Sequence, residues 1–202
     1  MGETERIQTR IRNAGFCCLL CEACCSGPDN EVRVLSQEIE LIAEATGMTC
    51  AKITIPYPEW ISRDGATFTF GWVLRRGPDG NCIFLKDNQC MVYQYRPHIC
   101  RTYPFVLNGE EPIISECPGC IAGAATKNTR QNTQDLIRRR MDEDTELENT
   151  EKQYQKHNII AGSMIVFDSS GAYNYAIPPK NYDKNTYYRN CPHFTEKYRR
   201  SP

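Results

Sequence analysis

Five of the chain's twelve cysteines lie within nine residues, in the run CCLLCEACC from Cys17 to Cys25. Thiolates are soft ligands, and a two-residue spacing lets neighbouring cysteines turn onto one metal centre. Cys18, Cys21 and Cys24 have this spacing twice in succession, as do the three loop cysteines that hold a [4Fe–4S] cluster in bacterial-type ferredoxins. The remaining ligands must come from elsewhere in the sequence, which restricts the folds that the chain can adopt.

The adjacent residues Cys24 and Cys25 are not expected to bind one small tetrahedral ion together. Successive side chains point in different directions on any regular backbone. One of the two is therefore predicted to serve a second metal or to pack as a buried thiol.

A second group of cysteines lies in the middle of the chain. Cys82, Cys90 and Cys100 are separated by seven and nine residues, and Cys117-Pro-Gly-Cys120 closes the group. Where no secretory signal is present, clustered cysteines indicate metal or redox chemistry more often than structural disulfides.

Arg96 and Arg101 lie on either side of Cys100. Four thiolates give a metal site surplus negative charge, which a nearby guanidinium would offset while donating N–H bonds to sulfur. The ordinary alternative is that each arginine pairs with a carboxylate. His98 and His193 each lie two residues from a cysteine and are weaker candidate ligands by position.

This ordered set of motifs resembles the YkgJ-type cysteine-cluster family, whose CxxCxxCC domain is described as zinc- or iron-chelating. The resemblance covers roughly residues 15–125 and includes CMVY from Cys90 and RPHICRTYPF from Arg96. Glu22 stands where the family often has glycine. The resemblance implies eight metal ligands, namely Cys18, Cys21, Cys24, Cys25, Cys82, Cys90, Cys100 and Cys117. Four cysteines lie outside the family pattern, namely Cys17, Cys50, Cys120 and Cys191.

Eight thiolates allow either two four-thiolate sites or one [4Fe–4S] site with spare thiols. The predicted cluster is bound by Cys18, Cys21 and Cys24, with Cys100 or Cys117 as the fourth ligand. The others would form a second site or act as partial ligands, namely Cys25, Cys82 and Cys90. The relatives include flagellin lysine N-methylase, which is associated with an iron–sulfur cluster, but the rest of that enzyme has no counterpart in this sequence.

The function expected from these features is metal binding, with an iron–sulfur cluster favoured over zinc. The role would be electron transfer, redox sensing or assistance to another enzyme, and a protein partner is expected. One alternative is a structural zinc module that binds a protein partner. Another is an accessory component of a modifying enzyme such as a methyltransferase. No catalytic motif beyond the cysteines is found, so enzyme activity is not assigned.

Charge and hydropathy limit the expected partners and the expected cellular location. The net charge of −1 gives no sign of a nucleic-acid-binding surface. The first ten residues are charged and lack the apolar segment of a secretory signal, and no run approaches the ~20 apolar residues that a membrane span needs. A cytoplasmic location is therefore expected.

The predicted fold is α+β, a small irregular domain of short helices and strands stabilised by metal. Apolar spacing predicts a short helix through Ile7 and Ile11, and another over residues 35–45 with Ser36 as N-cap and Gly47 as the stop. The alternating residues 67–74 predict one strand. Pro56 and Pro58 are expected to prevent regular pairing of residues 53–57.

Two domains are predicted, a cysteine-cluster domain over residues 1–125 and a C-terminal extension over 126–202 that packs on it. The extension should begin with a long charged helix over 126–156, with Arg138–Arg140 on its solvated face. A β-hairpin around Asp168–Gly171 should follow, with strands over 159–167 and 172–177.

Overall fold

The computed structural model describes residues 2–27 and 30–175, so Cys191, His193 and the rest of the C-terminal tail lie outside the described residues. The chain packs as two compact units. The first, here called the cysteine-rich unit, is drawn from Met1–Asn30 and Arg76–Glu143. The second, here called the sheet unit, is drawn from Glu31–Arg75 and Asp144–Pro202. Each unit combines two segments of the chain, and the predicted domain boundary at residue 125 stays a prediction.

The described part is α+β with short elements and a C-terminal helix and strand pair, as predicted. Over residues 2–27 and 30–175, no helix is both long enough and apolar enough to cross a membrane. The elements are α1 (Glu3–Asn13), β1 (Arg33–Val34), α2 (Ser36–Thr46), α3 (Cys50–Ile53), β2 (Thr54–Pro56), β3 (Ile61–Arg63), β4 (Ala66–Phe70), β5 (Trp72–Leu74), β6 (Leu85–Lys86), β7 (Gln89–Cys90), a 3₁₀ turn (Tyr93–Tyr95), α4 (His98–Thr102), β8 (Phe105–Asn108), β9 (Glu111–Ile114), α5 (Thr129–Lys156), β10 (Met164–Asp168) and β11 (Gly171–Asn174).

The core of the cysteine-rich unit is small and apolar. Ile7 and Ile11 are one helical turn apart on α1 and are fully buried, together with Phe105 of β8 and Leu136 of α5. The predicted helix through the two isoleucines is therefore confirmed. Burying a side chain of this size contributes about 1.5–3 kcal/mol. This cluster therefore fixes α1 against the β8–β9 hairpin, which lies between Cys100 and Cys117.

Helix α5 confirms the long helix predicted after residue 126, but the solvated face predicted for its basic triplet is wrong for Arg139. This arginine is only 9% exposed. Its Nε donates to Glu143 at 2.6 Å and its Nη1 donates to Thr102 Oγ1 at 3.1 Å. Arg139 therefore holds α4, the helix that carries Cys100, against α5.

The sheet unit contains a three-stranded sheet in the order β1-β5-β2 and a four-stranded sheet in the order β11-β10-β4-β3. The single strand predicted over residues 67–74 is wrong, because Gly71 adopts φ +81° and divides it into β4 and β5. Strand β4 pairs in parallel with β10, whereas β5 pairs antiparallel with β1 and β2. The hydrophobic alternation continues through the glycine, so it does not reveal that the chain changes sheets.

The expectation that Pro56 prevents pairing is also wrong. Thr54–Pro56 pair with Trp72–Leu74 as β2. Strand β2 is at the edge of its sheet, and an edge position tolerates a proline because one side of the strand needs no ladder donor.

Helix α2 and the β10–β11 hairpin lie close to where the sequence predicts them. Gly47 ends α2 in a left-handed conformation, with φ +67°, as predicted. The N-cap is Leu35 rather than Ser36, and the Leu35 N–H is satisfied by Glu38 Oε2 at 2.9 Å. Strands β10 and β11 pair around the turn from Asp168 to Gly171, which confirms the hairpin.

Candidate metal centre

Ten of the eleven described cysteines belong to the cysteine-rich unit, and the described cysteines are all free thiols. The exception is Cys50, which is buried in α3 of the sheet unit with 2% of its surface exposed. Three of the predicted ligands are exposed, namely Cys18, Cys21 and Cys24. Five others are partly buried, namely Cys25, Cys82, Cys90, Cys100 and Cys117.

A tight turn shapes the N-terminal cysteine loop at the position where the family often has glycine. Glu22 adopts φ +60°, and its carbonyl accepts hydrogen bonds from Cys25 N at 2.6 Å and Ser26 N at 3.0 Å. A left-handed φ is costly for any residue with a Cβ and free of that cost for glycine. The family preference for glycine thus has a physical reason that still applies in this chain.

Glu22→Gly is expected to raise the free energy of unfolding by about 1 kcal/mol, since it removes the strain of a left-handed non-glycine residue. Thermal or urea unfolding measures the change. The matched control is Glu44→Gly, at an exposed position inside α2, which should destabilise by about 1 kcal/mol. A destabilised Glu22→Gly protein would show that the turn is not left-handed in solution.

Cys24 and Cys25 share one hydrogen bond, with their sulfurs 3.9 Å apart. This hydrogen bond lowers the pKa of Cys24 to about 6, against the effect of burial. The same hydrogen bond, together with burial, raises the pKa of Cys25. Cys24 is therefore the thiol of the pair that ionises first.

The loop is tied by its backbone to the second group of cysteines. Cys82 N donates to the carbonyl of Cys25 at 2.8 Å, and Arg76 Nη1 donates to the same carbonyl at 3.1 Å. Burial raises the pKa of the Cys82 thiol, while the Phe84 N–H and the charge of Arg76 act in the opposite direction. Arg76 has no place in the cysteine spacing, so sequence reasoning missed it.

Cys90 and Cys100 are carried on short elements close to Cys25 and Cys82. Cys90 lies in β7 and pairs with Leu85 of β6. Leu85 follows Cys82 by three residues. Cys100 lies in α4. Negative charge on Cys82 and Cys100 contributes to the raised pKa of Cys25, after the larger effects of Cys24 and burial. Negative charge on Cys90 likewise adds to the effect of burial on Cys82.

Cys117 and Cys120 form a compact turn. Cys120 N donates to the Cys117 carbonyl at 3.0 Å, and Gly119 N donates to Cys117 Sγ at 3.4 Å. Burial raises the pKa of both thiols, and a hydrogen bond from Cys117 partly offsets this for Cys120. The turn is held against the N-terminal loop by a 2.9 Å bond from Cys17 N to the Gly119 carbonyl.

Tyr103 brings the first and last cysteine segments into one neighbourhood. Its hydroxyl donates to the carbonyl of Glu116, beside Cys117. Burial raises the pKa of Tyr103, and negative charge on four thiols raises it further. These thiols are those of Cys117, Cys24, Cys120 and Cys21.

The two arginines predicted as charge partners lie beside each other. Arg96 stacks 3.6 Å from the centre of the Tyr93 ring and donates to the Tyr93 carbonyl at 2.9 Å. Its charge adds to the lowering of the Cys24 pKa that the Cys25 hydrogen bond dominates. Arg101 donates to the Arg96 carbonyl at 3.3 Å. Their predicted role as charge partners of a metal site stays a prediction.

The two histidines of the described residues, the candidate ligand His98 and also His157, have other neighbours. His98 Nε2 lies 3.5 Å from Asp142 Oδ2, and burial lowers the pKa of His98. The His157 ring packs edge-on against Phe167 in the sheet unit, with centroids 5.4 Å apart. Cysteine thiols are thus the main candidate ligands of the described residues.

The donor chemistry fits a metal, although the sulfurs do not yet form a closed site. Ten thiols are collected in one unit, five of them on Cys-x2-Cys turns, and thiolates suit zinc, iron and iron–sulfur clusters. Within residues 2–27 and 30–175, however, no three Cys, His, Asp or Glu side chains form a group that could hold an ion as they stand. Metal binding therefore requires the thiols to move closer together.

The comparison with known families agrees with this donor set. A family model, CxxCxxCC, with the description "Putative zinc- or iron-chelating domain", matches residues 17–134, which is more than half of the chain. The match covers all eight cysteines predicted as ligands, and also Cys17, Cys50 and Cys120. No curated protein and no solved structure shows significant similarity to the chain.

Proposed function

The chain belongs to the family of CxxCxxCC domains described as zinc- or iron-chelating, and from this premise we propose that its cysteine-rich unit binds a [4Fe–4S] cluster and acts in electron transfer or redox sensing. The family supports metal binding by cysteine. The cluster type and the redox role are the proposal, together with a cytoplasmic location whose reducing conditions keep thiols free.

The exposure of the N-terminal cysteine loop is the observation that carries the redox role. Electron exchange with a partner requires one edge of the cluster to lie near the protein surface. Cys18, Cys21 and Cys24 have the ferredoxin-type spacing and are exposed. A site built only for structural stability would bury its sulfurs more completely.

The surroundings of this loop support a protein partner. Leu19 and Leu20, between two of the exposed cysteines, are 53% and 66% exposed, and Met91, next to Cys90, is 63% exposed. Exposed apolar side chains at adjacent positions, such as Leu19 and Leu20, often mark a surface that another protein covers. The proposed partner is a redox protein or an enzyme that this chain assists.

A structural zinc site is the second candidate, because some sulfurs are already very close. Zn–S bonds of about 2.3 Å place tetrahedral ligands roughly 3.8 Å from one another. The sulfurs of Cys24 and Cys25 are 3.9 Å apart, and those of Cys117 and Cys120 share a hydrogen bond. The Cys24–Cys25 separation matches that of two ligands of one tetrahedral ion, whereas the terminal ligands of a cluster are spread around several irons. A zinc ion bound by both residues would overturn the expectation that these adjacent cysteines serve different centres.

The metal content of the full chain purified without oxygen separates the two candidates. The [4Fe–4S] proposal expects a brown protein with about four irons and as many sulfides per cluster, and a visible absorption band that bleaches in air. Colourless protein containing zinc, unchanged by oxygen, would replace the redox proposal with the structural one. Protein that binds neither metal would refute metal binding itself.

Cys21→Ser is expected to reduce the bound metal by half or more and to lower the melting temperature, since a bound metal cross-links distant segments of the chain. Metal analysis and thermal unfolding measure both effects. Cys50→Ala is the matched control, because it removes a cysteine from the sheet unit and should leave the metal content unchanged. Full metal content in Cys21→Ser would show that the exposed loop does not bind the metal.

A further inference from the structure

Helix α4, which carries the candidate ligand Cys100, is held on one side by α5. Thr102 Oγ1 accepts from Arg139 Nη1 at 3.1 Å. At the other end of α4, His98 Nε2 lies 3.5 Å from Asp142 Oδ2. Arg139 and Asp142 are three residues apart on α5, a spacing that places them side by side. Both ends of the short helix therefore contact one face of the long one.

These contacts direct Cys100 away from α5. In an α-helix, residues four apart lie on the same face, whereas a residue midway between them points to the opposite face. His98 and Thr102 are the first and last residues of α4, and Cys100 is midway between them. The face of α4 that contacts α5 is thus the one that Cys100 does not occupy, and Cys100 is only partly buried.

The contact between Thr102 and Arg139 leaves α4 little freedom to turn. Thr102 is buried, and its Oγ1 also donates to the His98 carbonyl at 2.9 Å. One hydroxyl thereby accepts a hydrogen bond from α5 and donates one within α4. The guanidinium that meets this hydroxyl is itself fixed, because Arg139 is buried and its Nε donates to Glu143 at 2.6 Å.

An arginine is a costly residue if packing is all that the position requires. Taking its charge out of water costs free energy, and apolar residues of similar volume in place of a buried ion pair often give equal or greater stability. The guanidinium provides a direction in addition, because its planar array of N–H groups bonds along fixed axes. A metal ligand needs this kind of support, since small displacements weaken its bond to the metal.

The supporting residues lie beyond the part of the chain that the family model matches. The match ends at residue 134, whereas Arg139, Asp142 and Glu143 follow it on α5. The later part of α5 thus gives the ligand-bearing helix a support that the matched residues do not themselves contain.

We propose that Arg139, through Thr102, is a positioning residue for metal binding that holds α4 so that Cys100 is directed towards the metal. The inference rests on the proposed metal binding and on Cys100 as one of its ligands. It holds equally for an iron–sulfur cluster and for zinc. Arg139 is not itself a ligand and acts on the metal through the position of Cys100.

Two variants of the full chain remove the contact in different ways. Arg139→Gln removes the guanidinium, and Thr102→Val removes the hydroxyl with little change in volume. Each is expected to weaken metal binding by about 10–100-fold, the usual effect of losing a group that orients a ligand. Thr102→Ser keeps the hydroxyl and should bind as the wild type does. The proteins are loaded without oxygen with Fe²⁺ and sulfide, or with Zn²⁺ where the purified wild type contains zinc, and competition with a chelator measures the affinity.

Arg138→Gln and Arg140→Gln are the matched controls, because they remove the same charge from adjacent positions of α5. Arg138 is exposed, and Arg140 pairs with Glu3 of α1. Both controls should retain the wild-type affinity. If either were weakened as much as Arg139→Gln, or if Thr102→Val bound metal as tightly as Thr102→Ser, the positioning role would be overturned.

Alkylation of the metal-loaded proteins separates the displacement of one ligand from a general loosening of the unit. Iodoacetamide labelling is followed by peptide mass spectrometry at a temperature at which circular dichroism shows each variant to be folded. Cys100 and Cys82 should both be protected in the wild type, and Cys100 alone should become labelled in Arg139→Gln and Thr102→Val. Equal labelling of both cysteines in these variants would reduce Arg139 to a structural role and overturn the inference.

The wild-type protein distinguishes a failure of this inference from a failure of the proposed function. Immediate labelling of Cys100 in metal-loaded wild type would exclude Cys100 as a ligand and overturn the positioning role, while metal binding by the chain would stand. Wild-type protein that takes up neither iron and sulfide nor zinc would refute the proposed function, and the inference with it.

Discussion

Replacing Gly15 with alanine is expected to lower the free energy of unfolding by about 4 kcal/mol. Gly15 adopts φ +64°, and a Cβ at this position would lie 2.0 Å from the Ile121 carbonyl oxygen and 3.0 Å from that of Ala124. Both contacts are with backbone, so no side chain can rotate away. The segment around Cys17 would have to separate from the segment around Cys120.

The expected loss has two parts. A left-handed residue with a Cβ costs about 1–2 kcal/mol. Separation of the segments would also break the hydrogen bonds from Ile121 N to the Gly15 carbonyl, at 3.2 Å, and from Cys17 N to the Gly119 carbonyl, at 2.9 Å. Each of these contributes about 1 kcal/mol.

Gly109→Ala is the matched control in the same unit. Gly109 has a similar φ of +60°, but a Cβ there would meet nothing within 4 Å, so the loss should be only about 1 kcal/mol. Urea unfolding followed by circular dichroism compares the two variants. Metal analysis should show a loss in Gly15→Ala and none in Gly109→Ala, because only Gly15 fixes the turn at Cys117–Cys120. Equal destabilisation would mean that the close approach at Gly15 does not persist in solution.

The sequence predicted the elements whose determinants are local. Helices α1 and α2 follow from apolar residues one turn apart, and α2 ends at a glycine whose left-handed φ is a local property. The hairpin of β10 and β11 follows from a short polar turn between apolar strands. The break at Gly71 depends on which strands lie on either side, and single-sequence alternation contains no such information.

In the candidate site, too, the sequence predicts what is determined locally and misses what depends on contacts between distant segments. Spacing predicts the Cys-x2-Cys turns as ligands, because the ligand chemistry of such a turn is local. The wider set of eight cysteines came from the family resemblance, and its binding of metal stays a prediction. Their grouping depends on backbone contacts between distant segments, such as Cys25 with Cys82 and Cys17 with Gly119. The burial of Arg139 likewise depends on Thr102, far away in sequence. Glu22 is the one departure from the family pattern whose structural effect the sequence could indicate, since it replaces a residue suited to a left-handed turn.

Asp168→Ala is expected to have an effect as large as that of Gly15→Ala, but in the sheet unit. Asp168 is fully buried at the end of β10. Its side-chain oxygens accept from Trp72 Nε1 at 2.7 Å, Ser170 N at 2.8 Å, Gly171 N at 3.0 Å and the Tyr173 hydroxyl at 3.1 Å. Removing the carboxyl group leaves these donors without their acceptor.

A buried donor without a partner costs about 1–3 kcal/mol. The four donors are half-buried or, at Ser170, exposed, so water and local relaxation should recover part of this cost, chiefly for the two turn amides. We therefore expect Asp168→Ala to lose about 4 kcal/mol of unfolding free energy, and Tyr173→Phe, which removes one donor, to lose about 1 kcal/mol. Urea unfolding followed by tryptophan fluorescence measures both, because Trp72 contacts Asp168 directly. The metal content should remain at the wild-type value as long as the protein is folded, since the proposed ligands all belong to the cysteine-rich unit. If Asp168→Ala were as stable as Tyr173→Phe, the carboxyl group would not be the shared acceptor that joins β5 to the hairpin.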